Sequence, residues 1–137
     1  MGLPAASAAT KQQAYVGSAA CGQCHEAEYT TFQKQSKKAK SWIHVAMMAP
    51  KLTPEELREC YACHTTGYNK GGFVDYNTSP HLADVGCETC HGAGAAHAEN
   101  GDPSLIQRKP SAETCQSCHA KRIRSFKRAP LMYSGAH

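Results

Sequence analysis

One short pattern of cysteine and histidine occurs four times in this 137-residue chain. Two cysteines are separated by two residues, and a histidine directly follows the second cysteine. The copies read CGQCH, CYACH, CETCH and CQSCH, and they contain Cys21, Cys24 and His25; Cys60, Cys63 and His64; Cys87, Cys90 and His91; and Cys115, Cys118 and His119. All eight cysteines of the chain belong to this pattern, which indicates one chemistry used repeatedly.

The spacing C-x-x-C-H is typical of the covalent attachment of c-type haem. Two thiols three positions apart on a helical turn reach the two vinyl groups on one edge of a porphyrin, and the next residue places its imidazole under the iron. Zinc ribbons have about 15–20 residues between cysteine pairs and need no histidine after each pair. A disulfide scaffold does not explain four C-x-x-C units, because that spacing is typical of redox or ligand sites. We therefore predict four covalently attached c-type haems, with His25, His64, His91 and His119 as proximal iron ligands.

The composition supports a core made of cofactor rather than of aliphatic side chains. Leu, Ile, Val and Phe total 16 of 137 residues, well below the roughly 20% under which disorder is suspected. Small chains this poor in apolar residues fold around disulfides, metals or cofactors. The predicted fold class is mainly α with long loops, a compact multihaem cytochrome c fold in which four haems replace most of the hydrophobic core.

The bare chain has a net charge of +4 and a pI of about 8.6, but this does not predict an acidic partner. Each haem adds two propionates, so four ferric haems bring the total to about zero. The sequence therefore predicts redox-protein partners and no nucleic acid. It also predicts no transmembrane segment, because no apolar run reaches membrane-spanning length.

The domain organisation is predicted to be simple. Residues 1–14 are interpreted as a flexible leader, because Ala6–Ala8 read ASA, like the end of a signal-peptide cleavage region. Residues 15–137 are predicted to form a single haem-binding domain. Since covalent haem attachment requires export, we expect a periplasmic or extracellular protein.

Four histidines remain outside the motifs, and four irons each have one further axial position. These histidines are His44, His81, His97 and His137. The match in number predicts bis-histidine ligation of the haems. His97 follows His91 by six residues, which span at most about 20 Å, so we expect it to ligate a neighbouring haem rather than its own. By the same argument we expect His81, six residues before Cys87, to ligate a haem other than that of the third motif.

Several stretches of the sequence resemble the tetrahaem cytochrome c-554 family. The likeness covers roughly residues 15 to 120 and is clearest in ECYACHTTGYNKGGFVDYNTSPHLADVGCETCHGAGAAH and in YVGSAACGQCHEAEYTTF. The resemblance implies a helical, haem-packed electron carrier rather than an enzyme. It also implies crossed ligation, in which His97 serves the first haem and His137 the third. By the same resemblance, a histidine in the helix after the first motif would ligate the fourth haem, and the second haem would be left five-coordinate.

The chain departs from the family pattern at two places. Lys37 stands near the position expected for the helical histidine, and His44 lies two helical turns further on, so either residue is a candidate ligand of the fourth haem. His81 lies near the position where relatives leave the second haem open, and it would close that site to small molecules. Met47 and Met48 are interpreted as gap-filling core residues rather than iron ligands.

Several local signals predict the boundaries of helices and loops. Ser18 is expected to cap a helix that holds the first motif and continues to about Lys40. Thr53–Glu56 read TPEE, a capping box with proline in the first turn, at the start of a helix through His64. Ser111 is expected to cap a helix holding the fourth motif. Residues 65–86 are predicted to be a loop or small hairpin, and residues 100–104 a turn.

Three functions are compatible with these features. The favoured one is an electron carrier in which four irons have two axial ligands each. The second is a subunit of a conductive extracellular filament, self-associating through exposed haem edges, with His137 ligating either within the chain or to the next subunit. The third is a reductase of a small nitrogen oxide at a five-coordinate haem. Closed irons transfer electrons whereas open irons bind ligands, so the number of histidines favours the carrier.

Overall fold

A computed structural model of the chain describes residues 14–119 and residue 137. This part is mainly helical and contains no β-strand. Its helices are α1 (Ser18–Gly22), α2 (Glu26–Gln35), α3 (Trp42–Met48), α4 (Pro54–His64), α5 (Cys87–His91), α6 (Ala95–Asn100) and α7 (Ala112–His119). Short 3-10 turns occur at Lys37–Lys40, Ala49–Lys51, Pro80–Leu82 and Pro103–Leu105. The predicted fold class, mainly helical with long loops, is confirmed.

The start of α4 follows the sequence prediction closely. The Thr53 side chain accepts a hydrogen bond from the Glu56 N–H at 3.2 Å, and the Glu56 carboxylate accepts one from the Thr53 N–H at 2.9 Å. Pro54 occupies the first turn, where its missing N–H has no helical partner to lose. The helix ends at His64, so it delivers the whole second motif in its last turns.

The predicted helix from Ser18 to about Lys40 is wrong in two respects. Gly17, not Ser18, is the N-cap of α1, and it has a φ of 86° that favours glycine. The chain also breaks after Gly22, and α2 begins at Glu26. The reason is packing: a Cβ on Gly22 would lie 2.7 Å from the Tyr29 ring, so α2 folds back closely over the end of α1.

An aromatic cluster forms the main apolar centre. Phe73 is 1% exposed and packs with Leu82 and Ala83, surrounded by partly buried aromatic rings. The Trp42 ring contacts that of Phe73 at a centroid distance of 5.4 Å and that of Tyr61 at 5.8 Å. Since Tyr61 belongs to the second motif, this cluster fixes the end of α4 against α3.

Two buried hydroxyl groups connect the helices to the segment that precedes the third motif. Thr66 Oγ1 donates to the Asp84 carbonyl at 2.6 Å and accepts the Gly86 N–H at 2.9 Å. Ser41 Oγ donates to the His64 carbonyl at 2.8 Å and accepts the Val85 N–H at 2.9 Å. These bonds set the position of the second and third motifs relative to each other.

The region between α4 and α5 is a loop, as predicted, with one hairpin-like turn. The Gly72 N–H bonds to the Gly67 carbonyl and the Phe73 N–H to the Thr66 carbonyl, at 2.9 and 2.8 Å. Residues 100–104 turn as expected, with Gly101 in the left-handed region at the end of α6. Helix α7 begins directly after Ser111, also as expected.

The predicted leader falls outside the described residues except for Ala14, whose carbonyl accepts a hydrogen bond from the Ala95 N–H at 3.1 Å. None of the described helices is both long and apolar enough to cross a bilayer.

Candidate haem centre

Each motif presents its thiols and its histidine from one turn of helical backbone. The third motif is the whole of α5, and the second and fourth motifs end α4 and α7. In the first motif α1 ends at Gly22, but the His25 N–H still bonds to the Cys21 carbonyl at 2.9 Å, which preserves the turn. One thiol, that of Cys24, is exposed and the other seven are half-buried, so none is sealed inside the protein.

The first and third motifs are in direct contact. The thiols of Cys21 and Cys87 are close enough to change each other's ionisation. Interaction with the Cys21 thiol lowers the pKa of Cys87 to about 6, with a contribution from the Ser18 side chain, and the same interaction raises the pKa of Cys21. Helices α1 and α5 therefore bring two attachment sites together that are 66 residues apart in the chain (21 to 87).

The fourth motif lies between the second and the third. The Cys118 thiol points at the Ala62 carbonyl inside the second motif, at 3.9 Å. Burial raises the pKa of Cys90 in the third motif, and the neighbouring thiols of Cys115 and Cys118 contribute to that rise. The spatial order of the motifs is thus first, third, fourth, second, which differs from their order in the sequence.

Two pairs of imidazole rings face each other across a gap. The ring centroids of His25 and His97 are 6.3 Å apart, with planes inclined by 19°. Those of His91 and His137 are 6.2 Å apart, with planes inclined by 20°. In both pairs one histidine belongs to a motif and the other is one of the four additional histidines.

The size of this gap fits one metal ion between two imidazoles. A metal–imidazole bond is about 2.0–2.1 Å, and the ring centroid lies about 1.1 Å behind the nitrogen for ring bonds of roughly 1.35 Å. Two imidazoles on opposite sides of one metal therefore have centroids about 6.2–6.4 Å apart. The centroid separations of both pairs match this value, so each pair would have room for one iron, that of a haem on the first motif for His25 and His97 and that of a haem on the third motif for His91 and His137.

Backbone carbonyl groups fix the orientation of two of these rings and of the His64 ring in the second motif. Nδ1 of His91 lies 2.6 Å from the Gln107 carbonyl, that of His97 lies 2.9 Å from the Asp102 carbonyl, and that of His64 lies 3.3 Å from the Ser41 carbonyl. Since a carbonyl oxygen only accepts, Nδ1 carries the proton in each bond. In the neutral form of such a ring, Nε2 is the nitrogen that can bind a metal.

His44 and His81 are not part of such ring pairs among the described residues. His44 is exposed on α3, beside Ile43 and Met47, which are 58% and 69% exposed. Met48 is 48% exposed, so the interpretation of Met47 and Met48 as protein core is wrong. Within residues 14–119 and 137, this face of α3 is largely uncovered, and its apolar side chains lie beside a histidine.

His81 lies beside the first motif rather than in the aromatic cluster. A Cβ on Gly17 would be 3.3 Å from its ring, which shows how closely the turn at Pro80–Leu82 approaches the start of α1. The rival ligand Lys37 is exposed in the turn Lys37–Lys40. His119 ends α7 and is half-buried.

No group of three or more Cys, His, Asp or Glu side chains converges on a metal-sized site within residues 14–119 and 137. The cysteine pairs do not gather in fours, which is the arrangement that a zinc ribbon requires. A cleft of about 510 Å³ lies beside α4, with Tyr61, Tyr68 and Phe73 in its wall and with no cysteine or histidine in its lining.

One residue of the site has no signature in the sequence. Glu88 occupies a variable position of the third motif, yet it is 2% exposed and accepts hydrogen bonds from three backbone N–H groups. Neither spacing nor residue type distinguishes it from the exposed glutamates of the chain. Its role follows only from tertiary structure.

Comparison with known proteins gives one family and several relatives. Residues 20–92, just over half of the chain, match the family model described as cytochrome c554 and c-prime. Cytochrome c-554 of Nitrosomonas europaea is 32% identical over 92 residues, which cover 58% of this chain and 39% of that protein. The C-type polyheme cytochrome OmcB of Geobacter sulfurreducens is 32% identical over 107 residues, which cover 77% of this chain and 10% of that protein. The chain thus spans much less than the full length of these relatives, and no solved structure gives a significant match.

Proposed function

Because this chain belongs to the cytochrome c554 and c-prime family of c-type cytochromes, we propose that it is an electron-transfer protein with four covalent haems. The family resemblance predicted from the sequence is confirmed. The observation that carries the proposal is the pair of imidazole gaps, His25 to His97 at 6.3 Å and His91 to His137 at 6.2 Å. A gap of that size would have room for a haem iron bound by one nitrogen of each imidazole.

The eight motif cysteines would hold the haems through thioether bonds, and the four motif histidines would be the proximal ligands. Bound haem supplies a one-electron change between ferric and ferrous iron. The chain holds the imidazoles in one tautomer through carbonyl groups, as seen for His64, His91 and His97. Ligands held in this way need little rearrangement when the iron changes charge, which suits electron transfer.

The sixth ligands of the first and third haems are proposed to be His97 and His137. This assignment is crossed. His97 follows the third motif in the sequence but would ligate the first haem, and His137 follows the fourth motif but would ligate the third haem. His44 is proposed for the fourth haem in preference to Lys37, supported by the exposed apolar side chains of Ile43 and Met47 beside it, which a haem face would cover. His81 is proposed as the remaining ligand, for the second haem.

An electron carrier is preferred to the two alternatives on specific grounds. A reductase needs an iron with a free position, and the proposed ligation by His81 would close the second haem, which the family resemblance leaves five-coordinate. A filament joined through His137 needs that ring to face another subunit, but it faces His91 of the same chain. The proposed location is the periplasm or the cell exterior, where redox-protein partners donate and accept the electrons.

The proposal is tested on protein produced with a c-type haem attachment system. We expect the denatured, solvent-extracted polypeptide to exceed the 14.7 kDa of the bare chain by the mass of four haems. The electron paramagnetic resonance spectrum of the ferric protein is expected to contain only low-spin irons. A polypeptide of bare mass would refute the haem assignment, and a high-spin iron would favour the reductase.

A further inference from the structure

Glu88 is a buried carboxylate that forms no ion pair with a described cationic side chain. It is 2% exposed, and the one ion pair described in residues 14–119 and 137 joins Arg58 to Glu55 instead. A buried charge is costly unless hydrogen bonds replace the lost water. The side chain is therefore retained at this position by specific interactions, all of which are with backbone N–H groups.

Three backbone N–H groups from two distant segments converge on this carboxylate. The Val16 N–H donates to Oε1 at 3.0 Å and to Oε2 at 3.2 Å, and the Gly17 N–H donates to Oε2 at 2.8 Å. The Gly94 N–H donates to Oε1 at 2.7 Å. Hydrogen bonds to an ionised carboxylate are roughly twice as strong as neutral ones, so Glu88 joins both segments to α5 firmly.

The two segments lead directly to the two imidazoles of the first pair. Gly17 is the N-cap of α1, and His25 follows the end of that helix by three residues; Gly94 is the N-cap of α6, whose first turn carries His97. Both caps bond to the same carboxylate. The carboxylate thereby sets the separation between the backbones from which the two rings approach each other.

The fit around Glu88 leaves little space for adjustment. A Cβ on Gly94 would lie 3.0 Å from Oε1 and 3.5 Å from Cγ of Glu88. The Gly94 backbone has φ −104° and ψ −1°, which alanine also adopts, so a substitution there acts through contact and not through backbone strain. The position of α6 is thus defined by direct contact with Glu88 as well as by the hydrogen bond.

We propose that Glu88 is a positioning residue that holds His25 and His97 at the separation required for one iron. This inference rests on the proposed function, in which these two histidines are the axial ligands of the first haem. Without the carboxylate, the Gly17 and Gly94 N–H groups lose their common acceptor and α6 separates from α1. The His97 ring then leaves the iron, while the thioether bonds keep the haem attached.

The test compares Glu88→Ala and Glu88→Gln with the parent protein, each loaded with haem. The matched control is Glu59→Ala, which removes an exposed glutamate directly before the second motif. Spin state is read by electron paramagnetic resonance, and carbon monoxide binding is measured on the reduced protein. We expect Glu88→Ala to contain one high-spin iron per molecule and to bind one equivalent of carbon monoxide. The control is expected to have neither feature.

Two further results separate positioning from a general loss of structure. Added imidazole is expected to return the Glu88→Ala protein to a fully low-spin spectrum, because only a ligand is missing. Glu88→Gln keeps one acceptor oxygen but directs an NH₂ group at N–H donors, so a partial high-spin fraction is expected. Gly94→Ala, which presses on the carboxylate from the other side, is expected to produce a smaller high-spin fraction at the same iron.

A His97→Ala variant distinguishes the two levels of the proposal. If His97→Ala and Glu88→Ala each produce one high-spin iron, and the double variant produces no second one, both the ligand role of His97 and the positioning role of Glu88 are supported. If His97→Ala opens an iron but Glu88→Ala remains low-spin, the role of Glu88 is refuted and the ligand assignment is kept. If His97→Ala changes nothing, the ligand assignment itself is refuted. High-spin signals from two or more irons in Glu88→Ala would also overturn a specific positioning role.

Discussion

The contact between Gly86 and Ser18 offers a quantitative test of how α1 packs on α5. Gly86 directly precedes the third motif and has φ −106°, so alanine fits its backbone conformation. An added Cβ, however, would overlap Ser18 Oγ and lie 3.2 Å from Thr66 Oγ1. Because the main obstacle is the Ser18 hydroxyl oxygen, Gly86→Ala is expected to destabilise the protein by about 1–3 kcal/mol, as overpacking usually does.

Removing that hydroxyl has its own cost and also relieves the overlap. Ser18 Oγ accepts the Cys87 N–H at 3.1 Å, so Ser18→Ala is expected to cost about 1 kcal/mol. In the double variant the overlap with Ser18 Oγ is gone, so the added Cβ meets Cβ of residue 18 at an ordinary distance of 3.7 Å and keeps only the milder contact with Thr66 Oγ1 at 3.2 Å. We expect the double variant to be more stable than the sum of the two single effects by about 1–2 kcal/mol.

The measurement is thermal or denaturant unfolding of the four haem-loaded proteins, followed by circular dichroism. For 137 residues and about 2.1 cal/mol/K per residue, 1 kcal/mol corresponds to about 3.5 °C in Tm. The two single substitutions should therefore lower Tm by several degrees each, and their combination by less than the total. Effects that add within about 0.5 kcal/mol would show that these residues do not touch.

Three further predictions concern single positions. His137→Ala is expected to create one high-spin iron in the electron paramagnetic resonance spectrum. The spectrum of the parent protein should not change on dilution, because a dependence on concentration would indicate ligation between chains. Thr53→Ala removes both the acceptor for the Glu56 N–H and the capping box of α4, so a loss of about 1 kcal/mol in unfolding free energy is expected, and an unchanged Tm would contradict the cap. Hydrogen bonds from Thr78 and Asn77 lower the pKa of Asp75. The stability they contribute is thus complete above the ordinary pKa and lost as pH falls through the lowered one, so the Tm difference between parent and Asp75→Asn should shrink from pH 5 to pH 2.

The sequence predicted what depends on neighbours in the chain and missed what depends on distant contacts. The motifs and the box at Thr53–Glu56 are local patterns with fixed spacing, and helix α4 follows from them. Ser18 has the right residue type for a cap, but its hydroxyl instead accepts an N–H 69 residues away, and a glycine takes the N-cap position. The role of Glu88 could not be predicted for the same reason, since its hydrogen-bond partners are up to 72 positions away in the chain.

For the candidate iron ligands, too, the sequence predicted what local patterns determine and missed what distant contacts determine. Counting histidines identified His44, His81, His97 and His137 as a set, because the number of motifs defines the number of vacancies. Which ring lies beside which motif depends on tertiary structure, and counting gives no information on that; only the family resemblance implied the pairing of His97 with the first motif and of His137 with the third. The exposed Met47 and Met48 were misjudged because hydropathy does not reveal whether protein or cofactor covers a surface.

The gap between His25 and His97 also has a consequence for the unfolded chain. Once both rings bind one iron, residues 72 positions apart are joined into a closed loop (25 to 97), in addition to any thioether bond. A cross-link of that span restricts the unfolded ensemble by about 4 kcal/mol in the chain-entropy model developed for disulfides. The loop from His91 to His137, 46 positions long, adds a second restriction. A molecule with so few aliphatic residues would then gain much of its stability from the reduced conformational entropy of its unfolded chain.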